Sequence, residues 1–237
     1  MCGRFSRSSP PQAIAEEFGV PVDSAFAARP RFNVCPTEEV LVVARGAEGP
    51  ALGTMKWGLV PWFAQDPKSG ARLINARAET LATTRSFREP FERRRCLVVA
   101  DGFYEWKKVG DERQPYYIRL RSRRPFAFAG LWDRWKPKDG GAPLTSCAIV
   151  TCAPNGLMAP IHDRMPAIVP ADARELWLAR DTPSVDLGAV LRPYPDGEME
   201  IYPVSKRVSS VKNDDAECIR RVDPPADASG GSTPRDE

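Results

Sequence analysis

The chain has 237 residues, 42% of them hydrophobic and 27% charged, with a net charge of +3. That balance suits one large soluble domain or two small ones, and it argues against a chain too polar to bury a core. No apolar run approaches the length of a membrane span. Six scattered cysteines without a CxxC pair, and a single histidine, argue against a zinc centre and a disulfide framework.

The chain opens on Met1-Cys2-Gly3-Arg4-Phe5, and Arg4, Arg7 and polar serines follow where a signal peptide would need an apolar stretch, so a cytoplasmic location is expected. Ser9-Pro10-Pro11, then Gln12 to Phe18 and Gly19, predict a short helix with proline in its first turn and a glycine stop. Residues 20–30 read as a loop. Arg31 to Cys35, Val40 to Ala44 and Leu52 to Val60 read as strands, and Gln65 to Gly70 as a turn. Ala78 to Arg95 is predicted helical, interrupted at Pro90. Strands follow at Cys96 to Ala100, Phe103 to Lys108, Pro115 to Leu120, Phe126 to Leu131 and Ser146 to Thr151, with a turn at Gly110-Asp111. Asn155 to Met158 reads as a helical turn, Ala171 to Ala179 as a helix and Met199 to Val204 as the last strand. The expected architecture is a single α+β domain over residues 1–222, on a curved, mostly antiparallel, barrel-like β-sheet with peripheral helices. Residues 223–237 have the composition of a disordered tail. That tail holds four acids and one arginine, and without it the charge rises to +6. The cations are mainly arginine, 26 against 8 lysines, and guanidinium forks suit phosphate oxygens.

Four stretches carry residue types suited to chemistry. Once Met1 is removed, Cys2 would present an α-amine and a thiol on adjacent carbons. An amine near pKa ~7.7–8.0 and a thiol near ~8.5 are both usable nucleophiles at neutral pH. Such an aminothiol closes on an aldehyde as a thiazolidine, and its second attack is intramolecular. The plainer alternative is a small buried cysteine. In Ile74 to Thr80, Asn75 is either an amide that orients the amine or a helix N-cap. In Asp101 to Trp106, alternation puts Phe103 and Glu105 on one face and Tyr104 and Trp106 on the other. Glu105 is then either a solvent-facing carboxylate or a buried acid of raised pKa. Ile161 to Pro166 holds His162, either a proton shuttle or a loop histidine. Arg4, Arg77 and Arg164 could clamp phosphates or form surface ion pairs. Trp62 and Phe63 offer faces to bases, each stack being worth about 1–3 kcal/mol, although tryptophans are more often packed into cores and rims.

Seven stretches, MCGRF, RFNVCPT, KWGLVPWF, INARAET, DGFYEWKK, IHDRMP and VSKRVSSVKN, run in order across nearly all of residues 1–222. Together they resemble the SRAP family, the SOS response-associated peptidases or abasic-site processing proteins. The resemblance implies single-stranded DNA carrying abasic sites as the partner, and a covalent thiazolidine link through Cys2 that shields the lesion in the DNA damage response. It implies Cys2, Asn75, Glu105 and His162 as catalytic residues. It implies a DNA-binding set of Arg4, Asn33, Pro36, Trp62, Phe63, Arg77, Trp106, Thr151 and Arg164, with residues 34–37 as a wedge. AP-lyase and thiol (auto)peptidase activities would accompany the cross-link. No cofactor or metal, a monomeric state and unidentified replication-fork partners complete the expectation. Cys35 and Thr37 depart from the family, which often has alanine and glycine there. An N-terminal-nucleophile thiol hydrolase is the alternative, because class II glutamine amidotransferases also begin with cysteine and glycine. A plain single-stranded nucleic-acid binder is the third reading.

Overall fold

A computed structural model describes residues 2–21 and 29–223. Most of the expected loop 20–30, all of the expected tail except Asp223, and Met1 itself lie outside the described residues. Twelve strands are described: β1 (Phe5–Arg7), β2 (Arg31–Val34), β3 (Glu39–Arg45), β4 (Pro50–Trp57), β5 (Asn75–Arg77), β6 (Arg95–Ala100), β7 (Gly102–Val109), β8 (Glu112–Leu120), β9 (Phe126–Trp135), β10 (Leu144–Cys152), β11 (Met165–Pro166) and β12 (Met199–Pro203). The α-helices described are α1 (Pro11–Phe18), α2 (Arg88–Arg93), α3 (Arg174–Leu178) and α4 (Ser184–Val190).

β10 pairs antiparallel with β9 and parallel with β4, while β4, β3, β6 and β9 pair in an antiparallel run. Those five strands therefore close on themselves as a small barrel, with β5 and β11 added along β10. The second sheet is wholly antiparallel, in the order β12-β8-β7-β1-β2. The expected α+β class, mostly antiparallel sheet and barrel-like core are all present.

Aromatic rings join the two sheets. Phe5 of β1 lies 5.2 Å from Trp57 and 5.8 Å from Phe128, and Phe103 of β7 lies 5.9 Å from Phe128. All four rings are buried. The opposite face of β7 and β8 carries Tyr104 and Tyr117, which pack with Tyr202, Val208 and Cys218. The C-terminal segment, through the 3₁₀ turns at Lys206–Ser209 and Ala216–Ile219, thus covers the outer face of the second sheet.

The predicted helix from Ala78 to Arg95 does not form. A 3₁₀ turn occupies Ala78–Thr80, and α2 begins only at Arg88. The hydroxyls of Thr80 and Thr83 bond the carbonyls of Arg77 and Thr80, a local alternative to a continuous helix. Pro90 sits in the first turn of α2, where a missing N–H costs nothing, so it opens that helix and does not interrupt one. The strand expected to reach Val60 ends at Trp57, because Gly58 adopts φ 133. β1, β5 and α4 are additions that periodicity did not signal; β1 and β5 are three residues long and are held by their neighbours.

One corner sets the position of the chain's start. Only Asp101 separates β6 of the barrel from β7 of the second sheet. Its N–H bonds the Ser6 carbonyl at 2.8 Å, and its carboxylate accepts the Ser8 N–H, the Ser9 N–H at 2.8 Å and the Ser9 hydroxyl. Beside it Ser6 pairs with Gly102, and a Cβ on Gly102 would stand 2.3 Å from the Tyr117 ring. The Tyr117 hydroxyl is itself held at 2.7 Å from Ser6 Oγ. Gly102→Ala should therefore destabilise the protein by about 1–3 kcal/mol in urea denaturation, and an unchanged midpoint would show slack at this contact.

Candidate functional site

β1 and β7 pair with Phe5 opposite Phe103 and Ser6 opposite Gly102, and the Tyr104 N–H bonds the Arg4 carbonyl at 3.0 Å. Continued toward the chain start, this register sets Gly3 opposite Glu105. Cys2 thus lies beside Glu105, whose charge acts on its thiol. The barrel reaches the same place from the other side. β5 hangs on β10, and Asn75, its first residue, donates from Nδ2 to the Cys2 carbonyl at 2.8 Å. Asn75 Oδ1 is buried and receives no donor among the described residues. Asn75 is therefore a bridge to Cys2; the turn that follows it starts after Arg77 and takes no side-chain cap.

Glu105 is 4% exposed, so the solvent-facing reading does not hold. Burial pushes its carboxyl above the ordinary range, while the His162 ring acts in the opposite direction. Cys2 is fully buried in the chain that carries Met1 before it. Burial pushes its thiol far up, and the Glu105 charge adds to that shift. In this state the sulfur is a thiol and not a thiolate.

His162 comes from the loop between β10 and β11. Its Nδ1 lies 3.0 Å from the Arg164 N–H and 2.8 Å from an Asp163 carboxylate oxygen. The first contact needs a lone pair on Nδ1 and the second a proton there, so the ring makes one or the other but not both at once. His162, Glu105, Arg4 and Trp106 line an open cleft of about 500 Å3, together with Arg113 and Ser209. β1 covers only the first part of β7, so the cleft reaches both Glu105 and Trp106 past the start of that pairing.

The other expected contact residues separate into four groups. Arg4 lies 5.8 Å from the Trp106 ring and donates from Nη1 to Asn33 Oδ1 at 2.7 Å and to the Val208 carbonyl at 2.9 Å. Asn33 is 1% exposed, and its amide bonds the carbonyls of Val208, Ser210 and Asn213. Its place is inside the fold, holding Arg4 against the C-terminal segment. Thr151 is also fully buried; its carbonyl and hydroxyl take bonds from Arg164 at 2.6 and 3.3 Å. The rest of the Arg164 fork meets Glu79 in a paired contact of 2.7 and 2.9 Å. Arg77 is exposed and Pro36 is half-buried. Trp62 and Phe63 stand outside the residues lining the cleft. Trp62 is 59% exposed, with its backbone N–H held by Asp133, and Phe63 packs under the Arg85 guanidinium at 4.2 Å. Trp57 is wholly core.

Both departures have a physical setting. Cys35 is nearly buried, with Sγ 3.3 Å from the Asn33 carbonyl and its thiol pushed up by burial. Thr37 has φ 74, a left-handed conformation that glycine adopts without strain. Arg113 and Ser209 were not foreseen, although Ser209 lies inside the VSKRVSSVKN stretch; it lines the cleft, and its Oγ accepts the Trp106 indole N–H at 3.1 Å. A larger cleft of about 670 Å3, lined by Arg45, Arg93 and Arg180 among others, brings together no nucleophile and acid. Among the described residues no group of three or more side chains could hold a metal ion, and no helix is long and apolar enough to cross a membrane.

The model of the SOS response associated peptidase (SRAP) family matches residues 1–211. The abasic site processing protein YoqW of Bacillus subtilis is 41% identical over 224 residues, covering 92% of this chain and 99% of that one. YedK of Escherichia coli, also called an abasic site processing protein, is 32% identical, covering 94% and 100%. A crystal structure of a protein from Bacteroides thetaiotaomicron superposes with a TM-score of 0.85 at 26% identity, covering 93% of this chain and all of that one.

The raised Glu105 carboxyl has a thermodynamic signature. The native state holds its proton more tightly than the unfolded chain does. Its contribution to stability is full below the unfolded value of about 4.3 and is lost as pH rises through the native value. Glu105→Gln cannot ionise, so it should gain stability relative to wild type as pH rises from about 4 to about 8 in chemical denaturation. A difference that stays flat with pH would mean that the carboxylate is well solvated.

Proposed function

The chain belongs to the SRAP family, and from that premise we propose that it processes abasic sites in DNA, joining itself to the lesion through Cys2. The observation that carries the reading is the setting of Cys2: a buried acid on one side and an amide on the other, with Asn75 Nδ2 on its carbonyl and Asn75 Oδ1 open beside it. Removal of Met1 turns the Cys2 nitrogen into an amine with N–H bonds to give, and Asn75 Oδ1 is the acceptor that would orient it.

The proposed reaction needs no oxidant or reductant. The Cys2 amine adds to the aldehyde carbon of the ring-opened abasic sugar and gives a carbinolamine. Protonation of its hydroxyl releases water and leaves an iminium, which returns its N–H proton to the acid and becomes an imine. The thiol then adds across the C=N bond; sulfur bonds the carbon, and the thiol proton goes to nitrogen. One water leaves in total, and a thiazolidine remains. Glu105, protonated over a widened pH range by its burial, is the proposed donor for water loss, and His162 the proposed shuttle at the sugar oxygens. A thiol with a raised pKa suits this order, since it attacks an electrophile already activated as the imine. If ring closure fails, the imine is the species from which strand cleavage, the lyase activity, would proceed. Single-stranded DNA is the proposed form of the partner, with Arg77 and Arg164 at its phosphates and Trp106 against a base.

Intact mass before and after exposure to an abasic oligonucleotide tests the reading. The mature protein should lack Met1 and gain the oligonucleotide mass less one water, and Cys2→Ala should give no heat-stable adduct. A Cys2→Ala adduct that survives heat would remove the thiazolidine, and cleavage of peptides without DNA linkage would favour the thiol peptidase reading.

The Glu79 carboxylate occupies the part of Arg164 that a phosphate would use. Glu79→Gln should therefore tighten DNA binding severalfold in a fluorescence anisotropy titration. Weaker binding would show that Glu79 presents Arg164 to the phosphate and does not compete for it.

A further inference from the structure

The β7–β8 hairpin leaves the cleft at Trp106 and carries a charge pattern that the fold does not explain. Lys108 on β7 lies directly opposite Arg113 on β8. Like charges directly opposite in an antiparallel pair, with Cβ atoms ~4.5–5.5 Å apart, destabilise the pairing. Both side chains are exposed, and neither has an ion-pair or hydrogen-bond partner among the described residues. Glu112, next to Arg113 in the chain, is engaged instead by Lys206 of the C-terminal segment. Alternation puts Lys108 on the same face of β7 as Trp106. Arg113 lines the cleft beside Trp106, Arg4 and Glu105.

The contrast with Arg4, in the cleft, and Arg164, outside its lining, is informative. The Arg4 guanidinium is tied to Asn33 and Val208, and the Arg164 fork to Glu79 and Thr151. Lys108 and Arg113 instead form a pair whose repulsion would be relieved by an anion. We propose that Lys108 and Arg113 form a phosphate-binding arm, which takes the backbone of the nucleic-acid strand where it runs past Trp106. The flat Trp106 face between the arm and the lesion site suits a strand of stacked bases better than an acidic peptide. This inference rests on the DNA reading above.

The test uses the full chain and a roughly 20-nucleotide single strand carrying a tetrahydrofuran site, an abasic analogue without an aldehyde, titrated between about 50 and 200 mM salt. Each lost contact should flatten the log–log salt slope by about 0.7 and weaken binding about fivefold near 0.1 M salt. Lys108→Gln/Arg113→Gln should thus bind roughly 20-fold more weakly, with a slope shallower by about 1.4. Arg113→Lys, which keeps the charge, should retain the slope. Lys108→Gln alone should raise the melting temperature by removing the repulsion. Wild-type affinity and slope in the double variant would overturn the arm, as would a lower melting temperature for Lys108→Gln. If wild-type protein itself fails to bind the strand, the DNA reading falls with it, so the two failures are distinguishable.

Discussion

The pairing of β1 with β7 is the constraint on which the rest depends. It is only a few residues long, and a ladder that short would fray without help at the end of a chain. Help comes from three sides. Asp101 binds the backbone just after β1 and closes the corner between barrel and sheet. Phe5 is wedged between Trp57 and Phe128 of the barrel. Asp214 accepts the N–H groups of Phe32 and Asn33 on the neighbouring β2, and Asn33 in turn holds Arg4. A slip of one residue would turn Phe5 out of the core, so the register is pinned by packing.

Register matters here because the proposed nucleophile, Cys2, would be the first residue once Met1 is removed. An internal residue is held by peptide bonds on both sides, whereas the first residue is held on one. Asn75 supplies the missing restraint from the barrel, through the Cys2 carbonyl. Its geometry is inherited from β10, which carries β5 in parallel register and, at its end, β11, where the His162 loop returns. One strand of the barrel therefore sets the positions of Asn75, Arg77 and the segment bearing His162 and Arg164. The second sheet sets Cys2 and Glu105. The cleft lies where the two meet.

Much of this was legible in the sequence. Alternation along Phe103 to Trp106 correctly separates Glu105, on the Phe103 side, from the tyrosine and tryptophan of the other face. Burial of Glu105 was an open alternative, because a period of two gives the face but not what covers it. The long strands β6, β7, β9 and β10 announce themselves by apolar and aromatic runs. β1 and β5 do not, since their pairing is set by tertiary neighbours. The false helix after Ala78 shows the same limit from the other side: helix-forming residues there yield to threonines that bond locally. Asn33 and Thr151, met as family positions, have buried roles that spacing could not reveal, as each is defined by a partner more than a hundred residues away or by a carbonyl across the sheet.

The electrostatics follow from the same packing. Two groups that would be ionised or partly ionised in water, a carboxyl and a thiol, are forced toward their neutral forms beside each other. Were both charged, they would repel in a medium that screens poorly. In its neutral form Glu105 holds a proton that the proposed water loss would use, and Cys2 a proton that the proposed ring closure would pass to nitrogen. The arginines of the rim show the complementary arrangement. Arg4 and Arg164 are neutralised or tied down within the fold, so the positive charge at the cleft does not unfold its own scaffold by repulsion. A strand of phosphates would exchange with Glu79 at one edge and meet unpaired cations at another. Such a rim would hold polyanions by many weak, salt-sensitive contacts, and in the proposed reaction the covalent part of recognition falls to the one carbon that Cys2 would reach.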